Sequence, residues 1–202
     1  MHETIQMPSA QREAAVCTLT AAFSQDMMWR AILPDVAENQ RVLPMIWRGV
    51  IAYCQRYGIV STTPVIHGVA AWTKPGHAHP TLWKTLRTGF LLPRSVMLMS
   101  KASRQRFLRE MKKIDQIHRR IVPQPHWYLW ALGVRPEHQG QGTGGGLLSP
   151  TVGQAKETDS PCYLETETEG TVAFYAKPGF EVAHEAEFAE SGFRLWFMVR
   201  ES

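Results

Sequence analysis

The segment Trp127–Leu148, WYLWALGVRPEHQGQGTGGGLL, restricts the fold more than any other part of the chain. His126–Val134 reads as an aromatic-rich strand. Arg135-Pro136 ends it, because Pro136 has no amide to offer a ladder. A glycine-dense turn, Gln139-Gly140-Gln141-Gly142-Thr143-Gly144, then leads into a helix over Gly142–Glu157. Cys162–Thr166 follows as the next strand. Strand, helix and strand in this order imply a right-handed parallel crossover.

The remaining elements surround that unit. Thr4–Gln6 is a short first strand. Ser9 is placed to cap a helix through Phe23. Glu38–Tyr57 is a second helix, interrupted by Pro44, with Gly58 ending it in the left-handed conformation. Ile59–Thr63 and Val69–Thr73 are strands joined through Pro64–Gly68. Leu82–Phe90 and Ser95–Ile121 are helices separated by Pro93. Thr171–Lys177 is a short helix, and Phe180–Phe188 and Arg194–Arg200 form an antiparallel pair. The fold class is therefore α/β with a mixed sheet.

At 202 residues, 44% hydrophobic and 20% charged, the chain is read as one domain, 1–202, with a helical insertion at 80–122. A chain of this size buries roughly 70% of its surface, and this composition excludes disordered, collagen-like and coiled-coil classes. No run of 18 apolar residues occurs, so no membrane span is expected. No basic segment followed by an apolar one opens the chain, so no secretory signal is expected. Cys17, Cys54 and Cys162 are odd in number and widely spaced, which fits a reduced, cytoplasmic protein and neither a disulfide framework nor a zinc pattern.

The net charge of +4 is unevenly spread. Between Lys84 and Arg120 there are eleven Lys/Arg and two acids, Glu110 and Asp115. Phe107, Leu108, Met111, Ile114 and Ile117 recur there at helical spacing, which predicts an amphipathic helix with a basic outer face. Three uses of that face compete: plain solvation, attraction of an anionic ligand, and nucleic-acid binding. No nucleic-acid module is visible, so the last is the weakest. Acids gather instead at Glu165, Glu167, Glu169, Glu181, Glu185, Glu187 and Glu190.

A glycine-dense turn at a helix N-terminus exposes backbone N–H groups where the helix dipole adds positive potential, which suits a phosphate or diphosphate. No Lys follows the glycines, against a nucleoside-triphosphate loop. Gly140-x-Gly142-x-x-Gly145 satisfies the dinucleotide fingerprint in form. That fingerprint belongs to the first strand–helix–strand unit of a doubly wound sheet, and here too few residues follow it. A purely structural turn is the remaining alternative. Three consecutive glycines, Gly144–Gly146, weaken a helix by about 1 kcal/mol each relative to Ala, which argues for a close approach at this point.

Gln139-x-x-Gly142-x-Gly144, after a strand ending Leu132-Gly133-Val134-Arg135-Pro136, resembles the acetyl-CoA signature of the GNAT N-acetyltransferases. Leu164-Glu165-Thr166, followed by Val172-Ala173-Phe174-Tyr175-Ala176-Lys177-Pro178-Gly179-Phe180, resembles the second signature of that superfamily. Ala21-Ala22-Phe23 and Val69-Ala70-Ala71-Trp72-Thr73 add a likeness to puromycin N-acetyltransferase-like members. The resemblance is strong over about residues 126–180 and weaker over nearly the whole chain.

The resemblance implies a mostly antiparallel sheet with a splayed parallel strand pair, flanked by helices, and acetyl-CoA as cosubstrate. Gln139, Gly140, Gln141, Gly142, Thr143, Gly144 and Gly145 would shape the turn that holds the diphosphate. Leu132, Gly133 and Val134 would offer main-chain groups to the pantetheine arm, with Thr171 and Phe174 also on the CoA side. Tyr175 matches the usual general acid of the family. Glu165, ending its strand beside the cleft, is the candidate base, with His126 and His118 as weaker ones. The family often carries an acid on the preceding strand, where this chain has Trp130 and Leu132. It also commonly has Asn at the position of Thr171. Pro178 should end the helix just after Tyr175.

The function expected is direct acetyl transfer to a primary amine in a ternary complex, with no metal and no covalent acetyl-enzyme. The acceptor expected is a small molecule. Trp29, Trp47, Trp72, Trp83 and Phe90 either line its pocket or form core. The basic helix is a candidate contact for the 3′-phosphate. A non-catalytic acyl-CoA-binding module and a nucleic-acid-associated protein are the alternatives, and either a monomer or a homodimer is compatible.

Overall fold

The computed structural model describes residues 3–88 and 92–201. One sheet of seven strands organises them: β1 (Ile5–Gln6), β2 (Gly58–Thr62), β3 (Gly68–Thr73), β4 (Trp127–Val134), β5 (Cys162–Thr166), β6 (Glu181–Phe188) and β7 (Phe193–Arg200). They lie in the order β1-β2-β3-β4-β5-β7-β6. Every neighbouring pair is antiparallel except β4 and β5. That one parallel pair is joined through α7 (Thr143–Glu157), as the crossover rule predicts.

The strands β4 and β5 pair only at their first residues, Trp127 with Cys162 and Tyr128 with Tyr163. Beyond Tyr128, β4 stays paired with β3 as far as Val134 but, among the described residues, has no strand partner on its other side. The sheet therefore opens into a fork. A bulge helps to shape it: Ala71 faces Ala131 and Trp72 faces Leu129, so Trp130 is an extra residue on β4. A bulge of this kind changes which face the later side chains take. Trp127 and Leu129 lie in the core under α7, Ala131 lies on the opposite face, and Leu132 and Val134 return to the α7 side.

Helices cover both faces. On one side lie α1 (Arg12–Ala22), α2 (Met27–Ile32), α3 (Val36–Tyr57) and α6 (Lys101–Ile121), packed on two apolar clusters. On the other side α7 and α8 (Glu169–Ala176) cover Trp127, Leu129, Leu164 and Phe180. Two short helices, α4 (Leu82–Arg87) and α5 (Leu92–Leu98), precede α6. Among the described residues no helix is long and apolar enough to cross a membrane. Cys54 and Cys162 are buried thiols and Cys17 is exposed, all three free.

Several local expectations need correction. The helix expected from Ser9 begins as a 3-10 turn, Ser9–Gln11, and no side chain caps it. Helix α2 was not expected; Asp26 caps it by accepting from Trp29 N at 3.0 Å. Helix α3 begins earlier, capped by Asp35, and runs through Pro44 without interruption. Its buried stripe of Val42, Leu43, Ile46, Trp47, Val50 and Ile51 keeps it helical through the lost hydrogen bond. Leu108 of α6 is 54% exposed, while the polar Glu110 is buried. Glu38, also buried, accepts from Ser100 and Ser103 at the start of α6, a polar join between α3 and α6. The helix expected over Leu82–Phe90 is α4 as far as Arg87; Phe90 lies outside the described residues.

Gly58 does not adopt the left-handed conformation. Its φ of −164° is extended, and it is the first residue of β2. Glycine is required there by contact: a Cβ would stand 1.8 Å from the Trp72 carbonyl oxygen. Gly58→Ala should therefore cost about 3 kcal/mol of stability, the upper range for overpacking. Urea unfolding would read this as a lower midpoint at unchanged slope. An unchanged midpoint would remove the contact argument.

Candidate active site

The site is built around the fork. Arg135 N donates to His67 O at 2.8 Å, on the β3 side. Main-chain groups alternate in direction along a strand, so Gly133 also turns toward β3, and Leu132 and Val134 turn their N–H and C=O groups into the open fork. One of these groups is engaged: Gln139 Nε2 donates to Val134 O at 2.9 Å. Gly133 itself lies against α1, where a Cβ would meet Leu19 at 2.8 Å and Ala22 at 2.9 Å.

The turn after β4 passes through a 3-10 segment, Pro136–His138. Gly140 and Gly142 then take positive φ of 73° and 83°, a conformation that disfavours any residue with a Cβ. Gly142 is the N-cap of α7, and no side chain caps that helix. The first bond into the helix runs from Gly146 N to Gly142 O at 3.1 Å. The amides of Thr143, Gly144 and Gly145 therefore point out of the helix end, where an anion is favoured. Gln141 and Gly145 are exposed, and Thr143 is buried against Gly68. At Gly144 the ring of Phe174 comes within 3.1 Å of where a Cβ would stand, so α7 and α8 meet there.

Thr171 has a local partner set. Its hydroxyl completes the capping box of α8 with Thr168 and lies 2.6 Å from Thr166 Oγ1. The helix ends at Ala176, before the Pro178-Gly179 pair, with Gly179 at a φ of 95°. Tyr175 is buried on the α7 side of the sheet with Leu147, Leu164 and Phe180. Its ring lies edge-on to Phe174 at 5.0 Å and to Phe180 at 6.0 Å. Burial pushes its hydroxyl well above the usual phenol range.

Glu165 faces the other way. It follows Tyr163 by two residues on β5, so both side chains share the face covered by α2 and α6. Tyr163 Oη donates to Glu165 Oε1 at 2.8 Å, and the Tyr128 phenol stands beside the same carboxylate and favours its ionised form. Burial pushes the Glu165 carboxyl up to about 7, partly opposed by these two phenols. Tyr175 and Glu165 thus lie on opposite faces of the sheet.

Two further polar groups were not foreseen. Glu167 Oε2 accepts from Met28 N at 3.0 Å, beside the capping carboxylate of Asp26, so the β5–α8 turn is tied to the start of α2. Burial and the Asp26 charge push the Glu167 carboxyl well above the ordinary range. His118 and His126 share a hydrogen bond of 2.7 Å, and burial drives both toward the neutral form. This pair is structural and contacts no open part of the fork.

The acidic run does not form one patch. Glu185 and Glu187 pair with Arg194, Glu190 pairs with Arg109, and Glu165 and Glu167 are drawn inward. Of the two uses open to them, Trp29, Trp47 and Trp72 take the core one, and Trp83 is 77% exposed. The basic helix α6 lies on the sheet face opposite α7, away from the glycine turn. Its charges are partly engaged, Arg109 with Glu110 and Glu190, Arg119 with Asp115, and Lys113 with the Glu187 carbonyl. Among the described residues no cluster of His, Cys, Asp and Glu has the arrangement of a metal site.

Residues 110–180 match the family model for the acetyltransferase (GNAT) family. A histone acetyltransferase and related acetyltransferase from Corynebacterium glutamicum shares the fold at a TM-score of 0.74 and 20% identity, covering 100% of this chain and 98% of that one. A putative arylalkylamine N-acetyltransferase from the yellow fever mosquito, Aedes aegypti, aligns at 0.66 and 11% identity, covering 98% and 86%. An agmatine N-acetyltransferase aligns at 0.63 and 12% identity, covering 99% of both chains. The fold is the GNAT fold, and the family match together with it supports an acyltransferase.

The Glu167 pair makes stability depend on pH. The folded chain keeps a proton on Glu167 that the unfolded chain releases above the ordinary value of 4.5. The folded state then binds more protons, so stability falls as pH rises through that range. In Glu167→Gln the melting temperature should decline less between about pH 5 and 8 than in the unaltered protein. Parallel curves would remove the pair from the pH response.

Proposed function

We propose that this GNAT-fold acyltransferase is an acetyl-CoA-dependent N-acetyltransferase that acetylates a small primary amine by direct attack in a ternary complex. The observation that carries the reading is the fork itself, with an uncapped glycine-rich helix end at its mouth. An edge with free main-chain groups suits the amide-bearing pantetheine arm, and three outward amides suit its diphosphate. The left-handed Gly140 and Gly142 allow the close backbone approach that such a ligand needs.

In this reading Leu132, Gly133 and Val134 form the wall for the pantetheine arm, with Leu132 and Val134 supplying the hydrogen bonds. Gln139 shapes the entry by bonding Val134 O. Gly140 through Gly145 hold the diphosphate, and Phe174 closes the gap between α7 and α8. Thr171 contributes by capping α8. Bound acetyl-CoA supplies the activated thioester carbonyl that the amine attacks.

Glu165 takes the proton from the acceptor ammonium, directly or through water. A carboxyl poised near 7 is half ionised at neutral pH, as a general base requires. Tyr175 gives its proton to the departing sulfur, and burial, which makes the phenol a weaker acid than usual, keeps it protonated until then. The opposite placement of the two groups fits an amine and a thioester that meet across the fork from the two faces of the sheet. The named activities of the arylalkylamine and agmatine N-acetyltransferases are in keeping with a small amine acceptor. The resemblance to puromycin N-acetyltransferase-like proteins points the same way.

Calorimetry with acetyl-CoA, paired with a thiol-release assay over a panel of amines, tests the proposal. Saturable binding and release with at least one amine are expected. Binding without release for any amine would leave a carrier-binding module, and absence of binding would overturn the assignment of the fork. In Tyr175→Phe, turnover should fall about 100-fold, the lower range for a lost general acid, with acetyl-CoA affinity retained. Full turnover in that variant would exclude Tyr175 as the acid.

A further inference from the structure

The fork closes on two phenols. Tyr128 and Tyr163 are the last pair of residues in register before β4 and β5 separate. Both turn to the face opposite α7, where Tyr163 donates a hydrogen bond to Glu165, two residues past the vertex on β5, and the Tyr128 phenol stands beside the same carboxylate. We propose that Tyr128 and Tyr163 are positioning residues that clamp Glu165 at the vertex of the fork and set the pH range over which it accepts a proton. This rests on the reading of Glu165 as the base.

The clamp is braced from behind. The His118 ring stacks on Tyr163 at 3.8 Å and 13°, and lies edge-on to Tyr128 at 4.7 Å and 65°. His118 is held in turn by its bond to His126, whose Nδ1 lies 2.7 Å from Gln124 O. The phenol rings are therefore confined on the side away from Glu165. A carboxylate on a strand end would otherwise sample several rotamers. The Tyr163 hydrogen bond from its own strand, with the Tyr128 phenol on the other arm of the fork, selects one.

The same contacts decide the charge balance. Around the carboxylate, α6 contributes Asp115 and the neutral His118, and the start of β4 contributes His126. His79 lies beside His118 and bonds Asp115, which also pairs with Arg119. Glu167 and Asp26 occupy the turn beyond β5 and the start of α2. The facing residues of β7, Leu195 and Phe197, are apolar. Among the described residues no Lys or Arg is paired with Glu165. The phenols are thus the groups that favour its ionised form against burial. Burial and the Glu165 carboxylate make both phenols weaker acids than usual, so they keep their protons throughout the working range.

The sign follows from the donors. Deleting a hydroxyl that bonds the charged form raises the carboxyl further, so the base ionises at higher pH. Tyr128→Phe, Tyr163→Phe and the double variant keep the rings and the histidine contacts. In the double variant the acidic limb of kcat/KM should move up by about one pH unit, with activity lost most steeply at low pH. Carbon NMR titration of labelled glutamate side chains, without any acceptor, should show the one strongly raised glutamate of the β5 strand moving in the same direction. Glu165→Gln identifies that resonance by its disappearance. An unmoved limb and an unmoved resonance in the folded double variant would overturn the clamp. A uniform loss at every pH with an unmoved resonance would reduce the phenols to packing and overturn it equally. If Glu165→Gln keeps full turnover, the reading of Glu165 as the base fails, whatever the resonance of the phenol variants does.

Discussion

The fork depends on how little β4 and β5 touch. Two residue pairs hold them in parallel, and then the ladder stops. A longer ladder would fill the opening with ordinary sheet hydrogen bonds and leave nothing for a ligand. A shorter one would separate the two halves of the sheet. The fold can keep this weak seam because each arm is secured elsewhere, β4 by six residue pairs with β3 and β5 by five with β7. Helix α7 leaves the free end of β4 and returns to β5, so the glycine turn is carried at the fork mouth by the chain path itself.

Sequence made the strand–turn–helix unit legible because it is local. Pro136, the glycines and the alternation of Trp127–Val134 act over a few residues, and each points to the same local geometry. The strand and helix positions within 126–200 follow the sequence pattern closely for that reason. Helix α2 was not legible, since six residues with one capping Asp leave almost no periodic signal. Pro44 misleads because a helix-breaking tendency of about 3 kcal/mol is outweighed by burial of a long apolar stripe. Among the candidate site residues, the motif made legible the glycine turn that opens α7 and the placement of Tyr175 on α8. The phenols around Glu165 were half legible: Tyr163 and Glu165 are two apart on one strand and must share a face. Tyr128 joins them only through the sheet register, which a single sequence does not reveal.

Charge behaved differently from its appearance along the chain. A run of glutamates suggests one negative surface, yet strand alternation and the hairpin send successive members to different partners. Two of them are taken inward, where the absence of counter-cations makes burial decisive. The basic helix α6 is likewise divided, with its inner side supplying Phe107, Ile117 and His118 to the cores and its outer side engaging the hairpin. The same helix that looked like a docking surface instead braces the phenols at the centre of the sheet.

The extra residue at Trp130 has a consequence for how this strand tolerates change. It divides β4 into two phases, so that even-numbered positions address one layer of helices before it and the other layer after it. Deleting a single residue between Tyr128 and Ala131 would restore one phase throughout. Leu132 and Val134 would keep their places on the α7 side, because Ala71 would still face Ala131 and Ala70 would still face Leu132, and the strand would lose only its local bend. What the extra residue supplies is a local bend and added twist in β4 just beyond the vertex, where the strand parts from β5.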